Sequence, residues 1–443
     1  MRRALAAAIF FALSRAASAD EAPGAGEASE PPEDWSLHGQ LTYIAQKKPA
    51  FDAAYTGPHS LVPEAEHSYS FTGTLFAGAR LWQGGEGYLN IEMIQGRPFS
   101  NQTGMGGFPN AELQKSAGPD VTWYKARLFW RQTFGFGGGE EKFDADANQL
   151  RTTVDKRRLV FTVGYLAIGD LFDNNKFSHD VRTDFQNGSL LASGAYDYAA
   201  NARGYTAGFA AEWHDVDWAV RAGRFMQPQE SNGLGLDTAL FSHFGDQVEY
   251  ERGYAIGGRE GRLRVLAYHN VAIMGRYEDA IALGKQLGQT PDITQVRKRN
   301  EKWGVAGNIE QDVAPDLGIF VRASWNNGQT ETYAFTEIDR SIALGAVLAG
   351  TRWGRPDDQA AVAFVSNGSS AAHRDYLALG GLGFFLGDGA LNYGLEQTLE
   401  ARYGLSLGKH FILSADYQHT QNPGYNRDRG PANFYGMRLH AEF

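Results

Sequence analysis

The chain has 443 residues and not one cysteine. Disulfides would be permitted in an exported protein, so their complete absence favours a fold held together in some other way. Thiolate metal sites are excluded with them. The 11 histidines are scattered, so no zinc constellation forms. Past residue 19 the sequence also lacks any apolar run near the ~20 residues that a helix needs to cross a bilayer, which excludes a helical membrane protein. Positive charge is scarce relative to negative charge, and that gives no basic face for nucleic acid. The cluster Gly137-Gly138-Gly139 lacks the Lys-Ser/Thr ending of a phosphate loop. The acidic stretch Asp170 to Asn174 and the pair His179-Asp180 lack EF-hand spacing. No metal and no cofactor are therefore expected.

What is present begins with an export signal. Arg2 and Arg3 precede an apolar run from Ala4 to Leu13, and Ala17-Ser18-Ala19 supplies a small-residue cleavage pattern. The run is about half the length of a membrane helix, so it reads as a signal peptide cut after Ala19. The mature chain keeps 38 basic and 51 acidic residues, a net charge of −13. Residues 20–34 are acidic, with Pro23, Pro31 and Pro32, and read as a disordered periplasmic leader.

From residue 35 onward, segments of about ten residues alternate apolar and polar with period two. In the last one Tyr435, Met437, Leu439, Ala441 and Phe443 share one face, and Gly436, Arg438, His440 and Glu442 share the other. Such segments fall at 36–46, 68–82, 86–96, 121–134, 157–167, 203–214, 217–226 and 245–255. They continue at 261–271, 302–312, 316–327, 339–350, 359–368, 392–407, 409–420 and 434–443. An even set of about 16 strands, 54 glycines and 13% aromatic residues fit an all-β transmembrane antiparallel barrel of the bacterial outer membrane. Barrel closure satisfies every strand edge, which an open sheet in lipid cannot do.

The connections give an independent check. Short ones (around 83–85, 214–216, 257–260, Pro315 and Gly408) alternate with long ones at 47–67, 97–120, 168–202, 227–244, 272–301 and 369–391. With periplasmic termini, the long set forms external loops and the short set forms periplasmic turns. Segment 135–156 breaks the rhythm, being long where a short turn is expected. Helical patterns appear at Tyr277 to Leu283 and Ala371 to Leu379.

Several stretches carry a family resemblance. Ser324-Trp325-Asn326-Asn327-Gly328, Phe335-Thr336-Glu337-Ile338-Asp339-Arg340-Ser341, Trp353-Gly354-Arg355-Pro356-Asp357-Asp358 and Asn422-Pro423-Gly424-Tyr425-Asn426-Arg427-Asp428-Arg429-Gly430-Pro431 resemble the carbohydrate-selective outer-membrane porins (OprB-like). Tyr55-Thr56-Gly57-Pro58-His59-Ser60-Leu61 and Phe172-Asp173-Asn174-Asn175-Lys176-Phe177-Ser178-His179-Asp180 fit as well, so the similarity runs through the mature chain. The resemblance implies a 16-stranded channel through which sugars and similar small hydrophilic solutes diffuse passively.

A channel selects by diameter, charge and hydrogen-bonding groups. On the polar parity stand Arg80, Glu92, Arg127, Arg131, Glu212, Arg221, Arg262 and Arg264, and further on Glu310, Arg322, Glu396, Glu400, Arg402, Asp416 and Arg438. Arginine forks and carboxylates offer paired donors and acceptors to sugar hydroxyls. Taken singly, each reads first as a solvated wall residue paired with its neighbours, since many lumen charges must be mere lining. Loop 168–202 is the expected constriction loop, since loops of that length are usually functional. Asp173, Asn174, Asn175, Asp180, Arg182 and Asp184 are expected to face the passage if it folds inward, with Phe172, Phe177 and Phe185 packing it or meeting sugar rings. Two other readings stay open. One is a general or anion-preferring porin. The other is a lipid-hydrolysing barrel enzyme, for which Ser369, Ser370 and His373, or His59 and Ser60, would be the candidates. Expected partners are outer-membrane lipid and lipopolysaccharide, and an assembly machinery that reads the terminal Phe443. The sequence leaves monomer and homotrimer open.

Overall fold

The computed structural model describes residues 31–116, 118–334 and 336–443. The cut after Ala19 and most of the leader lie outside the described residues. Among these, sixteen antiparallel strands close into one barrel. They are β1 (Trp35–Lys48), β2 (Glu66–Trp82), β3 (Gly85–Arg97), β4 (Thr122–Gly135), β7 (Arg158–Leu166), β8 (Thr206–His214), β9 (Trp218–Phe225) and β10 (Phe244–Ile256). The circle continues through β11 (Arg259–Met274), β12 (Lys298–Ala314), β13 (Leu317–Asn326), β14 (Arg340–Ala349), β15 (Gln359–Gly368), β16 (Glu396–Ser406), β17 (Phe411–Gln421) and β18 (Ala432–Glu442). Each strand pairs with its neighbour in sequence, and β18 returns to β1 in a register running from Gln40↔Glu442 to Lys47↔Tyr435.

Every segment found by alternation is a barrel strand. The largest departures at a boundary are β16, which begins at Glu396 instead of 392, and β12, which begins at Lys298 instead of 302 and pairs Lys298 with Met274. Its first residues, Lys298-Arg299-Asn300-Glu301, are all polar, so no alternation marks a strand that extends beyond the apolar band. The exceptional segment between β4 and β7 contains a separate hairpin, β5 (Glu140–Phe143) and β6 (Thr152–Asp155), which accounts for most of its length.

The alternation sorts side chains by solvent. On β10, Val248 and Tyr250 are exposed on the outer face while Gln247, Glu249 and Glu251 are buried inside; on β18, Met437 and Leu439 point out while Arg438 and His440 point in. Aromatic pairs such as Trp82–Trp130 and Trp303–Trp325, with centroids 6.1 and 5.0 Å apart, decorate the outer wall, as in the girdles of outer-membrane barrels. At the long-loop rim, α2 (Tyr277–Leu287) and α3 (Ala371–Ala378) pack together at the two helical patterns, with Tyr277 stacked 4.5 Å from His373.

The barrel is not hollow. Loop 3 (167–205), including the short α1 (Gly188–Leu191), runs inside it, and loop 2 (98–121) reaches in beside it. Loop 3 carries a buried apolar underside. Phe172 packs on Phe225 with centroids 6.2 Å apart, Phe185 packs on Phe320 at 5.9 Å, and Phe177 lies over Gly318. All three phenylalanines pack the loop against the wall and are buried.

Candidate functional site

Many wall charges meet loop 3 rather than water. Glu249 and Glu310 accept the backbone N–H groups of Asp173 and Lys176, each at 2.7 Å. Arg322 donates to the carbonyls of Leu190 (2.8 Å), Ser178 (2.7 Å) and Asp173 (3.2 Å). Glu400 accepts from Gln186 and Asn187 at 2.6 and 3.0 Å. Arg438 donates to Val181, Thr183 and Asp184 carbonyls at 2.6–2.7 Å. Glu396 gathers N–H groups of Gly106, Gly107 and Gly424, holding loop 2 and the last external loop (422–431). An irregular backbone inside a barrel has no ladder of its own, so its N–H and C=O groups need partners; ionised side chains form the stronger charge-assisted bonds.

This corrects several sequence expectations. Glu310, Arg322, Glu396, Glu400, Asp416 and Arg438 lie on the lumen parity but are buried beneath the loops. They do not line the passage. Arg402 reaches Gln359 at 3.0 Å and Asp184 at 3.8 Å. Glu212, Arg221, Arg262 and Arg264 form an ion-pair ladder with Glu251: Arg221–Glu212 at 2.9 Å, Arg264–Glu251 at 2.8 Å and Arg262–Glu251 at 2.8 Å. Arg80 donates to the Glu33 carbonyl at 3.0 Å, which fixes the end of the leader to the barrel rim. Glu249 and Glu251 escaped the sequence reading although they alternate with Val248 and Tyr250; that alternation was the available signal.

The open passage, of about 900 Å³, runs between loops 2 and 3 and the wall to which β1, β2, β4 and β18 contribute. A β-bulge shapes its wall. Asn90 pairs with Arg127 and Ile91 with Lys125, so Ala126 is extra. The extra residue lets both Tyr124 and Arg127 serve the inner face despite their odd spacing. Arg127 grips Asp170 with two parallel bonds of 2.6 Å. Asp170 sits at one root of loop 3, and Tyr205 at the other. The Tyr205 ring lies 5.5 Å from the Arg127 guanidinium and 5.7 Å from the Lys115 ammonium, within cation–π range.

Behind these groups Glu92 is fully buried. It accepts from Arg182 Nη2 at 2.6 Å, Thr74 at 2.7 Å and Tyr205 at 3.2 Å, and also from the Tyr124 hydroxyl. Arg182 lies 3.4 Å from Glu112 of loop 2, whose neighbour Lys115 is 3.3 Å from the same carboxylate. Burial opposes the charge on Lys115, but Glu112 and Glu92 outweigh it and hold the ammonium above its ordinary pKa. Asp180 is exposed to the passage. Its surroundings in the barrel raise its carboxyl, but the Arg182 charge and the Arg182 N–H, with help from Lys115 and His179, bring it below the usual carboxylate range.

Of the other expected lining residues, Asn174 is exposed, whereas Asp173 and Asn175 are buried; Asp173 accepts from Ser193, and Asn175 donates to Asn308. Arg131 borders the passage over the Tyr88 ring at 5.2 Å. Lys115, Arg203 and Tyr205 border it as well, yet no alternation or motif marks loop residues of this kind. At the short-turn end, Phe443 exchanges backbone hydrogen bonds of 2.9 Å with Gly39, which ties the last residue to the first strand.

Ser370 and His373 do not form a nucleophile pair. Ser370 Oγ donates to the Gly328 carbonyl at 2.6 Å and caps α3 by accepting the His373 N–H, while the buried His373 ring turns to Asp339 at 3.0 Å. His59 bonds the Gly383 carbonyl, and Ser60 bonds Asp388.

The model of the OprB family, the carbohydrate-selective porins, matches residues 61–443. The chain belongs to this family. The fold is shared with OprB of Pseudomonas putida, at a TM-score of 0.70 and 17% identity over 93% of this chain and 94% of that one. Weaker likenesses include the channel DcaP of Acinetobacter baumannii (TM-score 0.49, 11% identity, 93% and 97% covered) and OccK2 of Pseudomonas aeruginosa (0.47, 8%, 93% and 97%). No curated protein matches the sequence. As a member of the carbohydrate-selective porins, the chain forms a passive diffusion channel for small hydrophilic solutes in a Gram-negative outer membrane. The long loops are external and the short turns periplasmic.

Proposed function

We propose that loop 3 sets the constriction and that neutral polyhydroxylated solutes, sugars above all, cross beside Arg127, Asp170, Lys115, Asp180 and Arg203. The bidentate Arg127–Asp170 pair carries this reading. A carboxylate held in this way contributes little net field, so the pair gives a permeating ion no strong site. It still leaves lone pairs and N–H groups at its edges for hydroxyls that shed water. Transfer involves no bond chemistry, in keeping with serines engaged by backbone carbonyls and carboxylates.

Swelling of proteoliposomes in a graded series of sugars, amino acids and salts tests the reading. Neutral sugars are expected to enter faster than charged solutes of equal size, and Arg127→Ala is expected to erode that preference. Permeation ordered by charge, with anions first, would replace this reading with a general or anion-preferring porin.

A further inference from the structure

The turn between β4 and β7 does more than connect two strands. After β5 the chain makes a tight turn in which Asp146 and Gln149 exchange two backbone hydrogen bonds of 3.0 Å. It then returns to the barrel, where Leu150 is completely buried. Leu150 belongs to the same apolar cluster as Tyr88 and Phe129 of the wall and Ile168, Leu171 and Phe172 of loop 3. Its N–H donates to the Tyr88 hydroxyl at 3.3 Å, and Arg131 donates to the Asn148 carbonyl at 3.3 Å. On the far side, Arg151 and Glu33 are joined twice, the Arg151 N–H donating to the Glu33 carboxylate at 3.0 Å and the Glu33 N–H to the Arg151 carbonyl at 2.9 Å. The turn is thus pinned at its anchor, its crown and its exit.

The crown of this arch, Ala145 to Gln149, borders the same passage as the inner face of loop 3. His38 of β1, Lys409 and His410 of the β16–β17 turn, and the terminal Phe443 border it too, at the periplasmic mouth. An ordinary periplasmic turn of two or three residues cannot reach inward this far; the hairpin provides the length, and Leu150 provides the anchor that directs it.

We propose that this periplasmic arch forms a second narrow station in the conduction path, in series with the external constriction. A solute leaving loop 3 then meets the exposed Asp146 and Ala147, with the half-buried Asn148 and Gln149 beside them, before it reaches the periplasm. The shared apolar cluster makes arch and loop 3 one packed unit, so the two stations keep a fixed spacing. The proposal requires only that the barrel conducts, whatever its solute.

The native chain contains no cysteine, which gives a clean background for thiol labelling. Ala147 is exposed at the crown, while Lys142 is exposed on β5 away from the passage. Each is changed singly (Ala147→Cys, Lys142→Cys), reconstituted in a planar bilayer and treated with a charged methanethiosulfonate reagent, with labelling confirmed by mass. The expected result is a stepwise loss of current for Ala147→Cys and an unchanged current for Lys142→Cys. Labelled Ala147→Cys that conducts as before would overturn the proposal, and so would equal losses in the two variants. As a second measurement, replacing 144–150 by two glycines is expected to raise single-channel conductance in barrels that keep heat-modifiable migration; unchanged conductance in such barrels counts against the arch.

Discussion

Arg438→Met isolates what a wall charge does for loop 3. The residue is 1% exposed, and its guanidinium donates to three loop carbonyls, those of Val181, Thr183 and Asp184, at 2.6–2.7 Å. Methionine keeps much of the volume and removes every donor. A buried acceptor left without a partner costs about 1–3 kcal/mol. Water from the neighbouring passage can reach part of the vacated space, so the low end applies, about 1 kcal/mol for each carbonyl. The sum, about 3 kcal/mol, corresponds to roughly a hundredfold shift in the local docking equilibrium. The barrel ladder is untouched, and loop 3 remains held at Arg322, Glu310 and Glu400. The expected phenotype is therefore a normally assembled barrel whose loop crown, residues 180–184, leaves its seat far more often. Single-channel recording should show larger open-state noise and excursions to higher conductance. Traces that match the wild type in mean conductance and in noise would refute the docking role assigned to Arg438.

Two further outcomes follow from close geometry. A Cβ at Gly318 would overlap the Phe177 ring, so Gly318→Val overpacks the site at a cost of about 1–3 kcal/mol; it should shift conductance, and adding Phe177→Ala should restore it, whereas wild-type conductance in the single variant would contradict the contact. The depressed carboxyl pKa of Asp180 keeps its charge through pH 5–7, and that charge is lost only as pH falls through the depressed value, below the usual carboxylate range. Asp180→Asn should consequently move the zero-current potential in a salt gradient toward anions by nearly the same amount at pH 7 and at about pH 4, near the ordinary aspartate pKa; a shift roughly halved at about pH 4 would show that Asp180 titrates in the ordinary range.

The barrel was legible strand by strand. Period-two alternation is a local property of each strand, and lipid outside with water inside imposes it on every strand, so sixteen segments could be found one at a time. The rhythm of long and short connections was equally local, and it marked 135–156 as the exception. Which face a side chain takes was therefore legible, as Arg438, Glu400 and Arg127 show. What that face meets was decided by the tertiary structure alone. Arg438 and Val181 are 257 residues apart in sequence, and they touch because closure brings β18 round to a loop that leaves the wall at β7. Alternation also cannot register the bulge at Ala126, which serves both Tyr124 and Arg127 to the passage. It cannot distinguish a charge facing solvent from one facing a loop carbonyl, because both need the same polar residue on the same parity. Strand identity is fixed by neighbours one and two residues away, whereas the course of the passage is fixed by loops filling a lumen that exists only once the barrel has closed.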